Sequence, residues 1–123
     1  MNLAVVGSRT FNAYNTLKIV LDEIKTIYDI TCVVSGGADG TDKLSEKWAK
    51  ENNIKTKIYL PDWDKFGKSA GFIRNKDIWD NSDFGVAFWD GNSKGTSHSF
   101  GIAKKQNKEL FIFNYITNEL TLN

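Results

Sequence analysis

The chain has one cysteine, one proline, one histidine and one methionine in 123 residues, and a formal net charge of only +1. Each scarcity removes a class of explanation. A lone Cys32 cannot close an internal disulfide, and with His98 as the sole histidine there is no Cys/His set for zinc. With 16 basic residues against 15 acidic ones, spread through the chain, the balance argues against non-specific binding to long nucleic acid, which ordinarily needs a basic face. A local basic pocket is compatible with that balance. No apolar run approaches the length of a membrane span, and residues 1–7 have neither the basic start nor the length of a signal peptide. The expectation is a cytoplasmic protein with no membrane partner.

What the chain does have is aromatic volume and periodic apolar residues. Hydrophobic types make up 41% of it, including eight Phe, four Trp and four Tyr, enough for one domain of modest core over residues 1–123. Residues 3–6 are a short continuous apolar run, the pattern of a strand buried on both faces, and residues 31–34 read as a second buried strand. Cys32 lies in the second run and reads as a buried structural thiol. Beyond Tyr14, Leu17, Val20, Leu21, Ile24 and Ile27 recur at helical spacing, with Asn12 or Asn15 as the cap. A second helix is predicted over 39–52, with Leu44, Trp48 and Ala49 inward, then a strand over 57–60 closed by Pro61. Residues 61–70 form a polar and aromatic connection of the kind that carries function. Helices over 70–81 and 96–106 and strands over 84–89 and 110–113 follow, and Tyr115, Ile116, Leu120 and Leu122 mark a short final element. This alternation predicts a Rossmann-like, doubly wound α/β domain, with a mostly parallel five-stranded sheet and helices on both faces.

Three glycine-containing loops each follow a predicted strand and lead into a predicted helix. They are Gly7-Ser8-Arg9, Ser35-Gly36-Gly37-Ala38-Asp39-Gly40-Thr41-Asp42 and Asp90-Gly91-Asn92-Ser93-Lys94-Gly95-Thr96-Ser97. In a parallel sheet all three emerge at the carboxyl edge, where glycine admits backbone N–H groups to a ligand and helix N-termini favour anions. Their convergence predicts a site for a phosphate-bearing ligand. Gly7, Ser8 and Arg9 offer backbone, hydroxyl and a guanidinium that grips phosphate bidentately. Ser35, Gly36 and Gly37 permit close approach, while Asp39, Thr41 and Asp42 read either as helix caps or as partners of ribose hydroxyls.

Lys68, Arg74 and Asn75 belong to the same candidate set, as do Trp89, Asp90, Gly91, Ser93, Gly95 and Thr96 around the third loop. Trp63, Phe66 and Trp89 read equally as base-stacking or core residues. His98 reads as solvated or structural. Asp62 and Asp64 are spaced as turn residues. No stretch matches a Walker A loop or a Gly-x-Gly-x-x-Gly fingerprint, so no cofactor or metal is expected.

Together these stretches resemble the SLOG superfamily, and within it the small YspA-like, YpsA-related branch. The resemblance is carried by Val5-Val6-Gly7-Ser8-Arg9, the second glycine loop, Pro61-Asp62-Trp63 with Gly67-Lys68-Ser69-Ala70-Gly71-Phe72-Ile73-Arg74-Asn75, and residues 87–96, in that order. It implies a Rossmann-like domain whose pocket recognises nucleotides or nucleotide-derived ligands. Relatives include phosphoribohydrolases that activate cytokinins by releasing a base from a nucleoside monophosphate. Others are immune sensor domains of bacteria that bind NAD-derived signals such as cyclic ADP-ribose isomers. Arg74 falls where those hydrolases carry a functional arginine. Their Pro-Gly-Gly-x-Gly-Thr-x-x-Glu motif is matched only in part by residues 91–99, and Ser99 takes the place of the catalytic glutamate. A serine neither acts as a carboxylate base nor stabilises an oxocarbenium ion.

The leading expectation is therefore a binding module that holds a nucleotide-derived small molecule, of ADP-ribose or cyclic-nucleotide type. Such a module could sequester a signal, for example as a viral counter to nucleotide-based bacterial immunity. The alternative is a nucleoside-monophosphate N-glycosidase in which Asp39, Asp42 or Asp90 replaces the absent glutamate. Single-stranded DNA binding like that of the DprA proteins is disfavoured by the neutral charge and the lack of further domains. A second copy of the chain is expected as a partner, because Trp48, Trp79 and Phe100 on helices are expected to leave an apolar face.

Overall fold

The computed structural model describes residues 1–123. The elements are β1 (Asn2–Gly7), α1 (Tyr14–Ile27), β2 (Cys32–Ser35), α2 (Thr41–Glu51), β3 (Lys55–Ile58) and a one-turn helix α3 (Trp63–Phe66). After a 3₁₀ turn (Gly67–Ser69) come α4 (Ala70–Asp80), β4 (Phe84–Trp89), α5 (Lys94–Lys105), β5 (Leu110–Asn114) and β6 (Glu119–Leu122). They build one six-stranded sheet in the order β3-β2-β1-β4-β5-β6, parallel throughout except for the antiparallel β5–β6 pair.

Alternation along the strands sends side chains to two helix layers. Leu3, Val5, Val33, Phe84, Val86 and Phe88 pack against Leu17, Val20, Leu21 and Ile24 of α1 and Trp48 and Ala49 of α2. On the other face Ala4, Val6, Cys32, Val34, Ala87 and Leu110 meet Ile78 and Trp79 of α4 and Ala103 of α5. Small residues on that face admit the Trp79 ring: a Cβ on Gly85 would overlap it. Burial raises the Cys32 thiol above its ordinary pKa, which matches the structural thiol expected. No helix is long and apolar enough to cross a membrane.

Several expectations need correction. The sheet has six strands, not five, because the tail folds back through a turn and pairs Glu119–Leu122 against β5. The third strand starts two residues early, at Lys55, and lies at the sheet edge with every residue exposed. Its two lysines discourage pairing with another chain, and the apolar Leu60 lies beyond it, outside the sheet. Neither Asn12 nor Asn15 caps α1, whose N-cap is Ala13 without a side-chain bond. Residues 61–70 contain α3, begun by the Asp62 carboxylate accepting the Lys65 N–H at 3.1 Å, so Asp62 is a capping residue. Trp48 and Trp79 are both fully buried, so they leave no apolar face for a second copy.

The second glycine loop is locked to the first through the start of α2. Its N-cap is Gly40, in a left-handed conformation at φ 74°, and no side chain caps the helix. Instead the Thr41 N–H and Thr41 Oγ1 both donate to the Ser8 carbonyl, at 3.2 and 3.0 Å. A Cβ on Gly40 would run into the Arg9 backbone carbonyl. Gly40→Ala is therefore expected to destabilise the fold by more than about 1 kcal/mol, seen as a Tm several degrees lower. An unchanged Tm would show that the clamp does not constrain this loop.

Candidate ligand cavity at the carboxyl edge of the sheet

Strand order reverses between β1 and β4, the place where doubly wound sheets leave a crevice beyond the strand ends. A cavity of about 460 Å³ opens there, reached by the loops after β1, β2 and β4 and by the inner sides of α4 and α5. Phe11 anchors the first loop by stacking on Phe88, with ring centroids 5.3 Å apart, so that Arg9 and Thr10 stand in solvent at the rim.

Of the residues singled out from sequence, Gly7, Ser8, Arg9, Asp42, Arg74, Asn75, Asp90, Ser93, Gly95 and Thr96 line this cavity. Gly36, Gly37 and Asp39 line an adjoining cleft of about 300 Å³, which shares Arg9, Ala38 and Arg74 with the cavity. Five others stand apart from both. The Ser35 hydroxyl is buried and donates to Glu46 Oε2 at 2.8 Å, and Thr41 is consumed by the Ser8 clamp. Lys68 is exposed on the 3₁₀ turn. Trp89 is half-buried, its Nε1–H donating to the Ser93 carbonyl at 3.1 Å, and Gly91 serves the turn at φ 90°. Thr10, Ala38, Val6, Ile78 and Ser99 also line the cavity. Ser99 had a signal in the partly matched motif, and Val6 and Ala38 lie in the stretches that flank the first two glycine loops; Thr10 and Ile78 are brought in by packing that no local pattern announces.

Arg74 ties the site together. Its Nη1 donates to the Gly36 carbonyl at 2.9 Å and its Nε to Asn75 Oδ1 at 3.1 Å, while Asn75 Nδ2 meets His98 Nδ1 at 3.2 Å. Loop two, α4 and α5 are thus linked through one guanidinium. Gly36 gives the guanidinium room, because a Cβ there would come within 2.5 Å of Arg74 Nη1 and push it aside. Burial lowers the Arg74 pKa, opposed by the Asp42 charge and assisted by Arg9, although an arginine stays charged at neutral pH. Asp42 is 8% exposed, and burial raises its pKa to about 6 against the opposing pull of the Ala38 N–H and Arg74. Asp90 goes the other way: the Asn92 and Ser93 N–H groups, each 2.8 Å from Asp90 Oδ1, hold its carboxylate below the ordinary range.

The helix N-termini that follow the second and third glycine loops differ. That of α2 is occupied by the Ser8 carbonyl, whereas α5 begins at Ser93 with no side-chain cap, its Gly95 facing open space. Uncapped N–H groups at a helix start attract anions. Ser8 lines the same cavity, and its Oγ is buried without any hydrogen-bond partner.

Fold and site define a Rossmann-like domain with a polar cavity at the switch point of its sheet. The chain belongs to the YspA, cpYpsA-related SLOG family, whose sequence model matches residues 1–66. It is 33% identical over 109 residues to the Gene 61 protein of Mycobacterium phage D29, covering 82% of this chain and 86% of that one. Two solved structures share the fold. DNA processing protein A (DprA) from Streptococcus pneumoniae superposes with a TM-score of 0.74 at 19% identity, over 90% of this chain and 49% of that one. DprA from Helicobacter pylori, in a structure concerned with its single-stranded DNA binding mode, gives 0.70 at 22%, over 91% and 64%. The chain thus spans about half to two-thirds of the DprA chains it matches.

These neighbours overturn the expectation that long nucleic acid is excluded as a partner. Net charge sums the whole surface, whereas strand binding depends on local charge, and here Arg9 and Arg74 line one edge.

The raised Asp42 pKa has a defined effect on stability. The folded value of about 6 lies above the ordinary aspartate value of 3.8, so between them the folded state holds the extra proton. Stability from this group is therefore full below about pH 4, is lost as pH rises through about 6, and totals on the order of 3 kcal/mol. Melting curves from pH 4 to 7.5 should show this fall in the wild type, and a flatter profile in Asp42→Asn. Parallel profiles would show that Asp42 does not titrate in this window.

Proposed function

We propose that the chain binds a nucleotide-derived small molecule with its phosphate in the β1/β4 cavity. The observation that carries this reading is the buried, unpartnered Ser8 hydroxyl in the cavity that the uncapped start of α5 also lines. An unmade buried hydrogen bond costs about 1–3 kcal/mol, and a phosphate oxygen seated here would accept it. The start of α5 lines the same cavity, with the Arg9 and Arg74 charges on its wall. Retention of the ligand is favoured over cleavage by Ser99, which lines the cavity where the related hydrolases carry glutamate. The 33% identity to a phage protein supports a viral setting, in which a small binding domain sequesters a host signal.

A second reading, cleavage of an N-glycosidic bond, is favoured by one feature. Asp42 and Asp90 line the same cavity with pKa values shifted in opposite directions, the arrangement expected of an acid and a base. Repeated release of free base from nucleoside monophosphates would support it, whereas recovery of the ligand intact supports binding. The DprA fold also supports a nucleotide unit within a DNA strand as the ligand. That would appear as oligodeoxynucleotide binding that weakens steeply with salt.

Thermal melting with ADP-ribose, cyclic ADP-ribose isomers and mono- and cyclic nucleotides tests the proposal. A ligand at about 100 times its Kd stabilises by about 2.7 kcal/mol, a plain rise in Tm. No shift across that panel and an oligodeoxynucleotide would sink it. Gly95→Ala gives a sharper outcome, because a methyl group there meets no protein atom within 4 Å. The variant should melt higher without ligand, by up to about 1 kcal/mol from helix propensity, yet gain less from ligand because the methyl group obstructs approach to the amides.

A further inference from the structure

We infer that the cleft adjoining the cavity is a nucleobase subsite, in which the base stacks on the indole of Trp63. The inference rests on the phosphate reading of the cavity and specifies a nucleoside phosphate rather than a sugar phosphate or inorganic phosphate. Cavity and cleft meet at Arg9 and Arg74, so an anionic group held by these guanidiniums has the cleft directly beside it. Leu60, Pro61 and Trp63 supply the apolar surface of the cleft, and the exposed Asp39 supplies a carboxylate suited to a ribose hydroxyl.

Trp63 differs from the other tryptophans. Trp48 and Trp79 are fully buried and Trp89 is half-buried, whereas Trp63 is 52% exposed and Leu60 beside it 69%. The turn that carries the indole is capped: the Asp62 carboxylate accepts the Lys65 N–H, and the Gly67 N–H donates to the Trp63 carbonyl. Leu60 lies over Gly37, where an added Cβ would come within 2.6 Å of its Cδ2. An exposed aromatic ring lining a cleft with two cations suits a flat base joined to a phosphate.

Titration of the intrinsic fluorescence with AMP and with ribose 5-phosphate, backed by calorimetry, tests this. AMP should bind more tightly than ribose 5-phosphate and quench the emission of Trp63. Trp63→Ala should weaken AMP about tenfold or more and leave ribose 5-phosphate within about twofold. Trp63→Phe, which keeps a stacking face, should retain most of the AMP affinity. Equal binding of the two ligands, or an equal loss of both in Trp63→Ala, overturns the subsite while leaving the phosphate site standing. Binding of neither ligand removes both. A dimer that dissociates on Trp63→Ala, with AMP affinity unchanged, assigns the apolar surface to a second copy and likewise overturns the subsite.

Discussion

The reversal of strand order between β1 and β4 is the constraint on which the rest of the structure depends. From β1 the chain moves outward to β2 and β3 with α1 and α2 on one face. It then crosses the sheet to β4 and moves outward through β5 with α4 and α5 on the other. Crossovers of one hand require the change of face when the direction changes. The loops at the reversal diverge, and Val6, Gly7 and Ser8 at the end of β1 face a cavity. Small residues at the same place, Gly7 and Gly36 in particular, keep the space open; a side chain at either would overlap Thr41 or Arg74.

Charge burial gives this cavity its character. Arg74 lies half-buried between a carbonyl, an amide side chain and a carboxyl, and connects the second glycine loop to the helix layer beneath. Asp42 nearby is more buried still, which is why its proton is retained to about pH 6. Such groups are rarely the cheapest way to stabilise a fold. Their concentration at one edge, with an unpartnered serine hydroxyl, marks this cavity as the candidate functional site rather than a product of packing.

Much of this was legible in the sequence. Continuous apolar runs marked β1, β2 and β4 because strands buried on both faces have no polar side to show. Helical spacing marked α1 because its stripe of Leu17, Val20, Leu21 and Ile24 faces a single layer. The exposed edge strand β3 was displaced and the antiparallel β6 reduced to an unnamed final element, because neither buries a residue and so neither leaves a hydrophobic period to read. Among the candidate residues, those on loops at the β1/β4 reversal were recognisable from glycine and charge. Thr41 and Ser35 resembled ligand contacts, yet their hydroxyls are spent on Ser8 and Glu46. A hydroxyl's partner forty residues or fewer away is as invisible locally as one across the molecule.

By itself, the order of apolar runs and glycine loops determined the layered α/β class and the edge at which the cavity opens, since both follow from period and crossover geometry. Tertiary structure alone decided which helix start is open. α2 and α5 follow similar glycine loops, but the Ser8 carbonyl happens to lie against the first and not the second. It also decided that Trp63 stands exposed beside two arginines while Trp48 and Trp79 are buried. Residue type sets what a side chain is able to do, and only its neighbours in space set whether that capacity is already used.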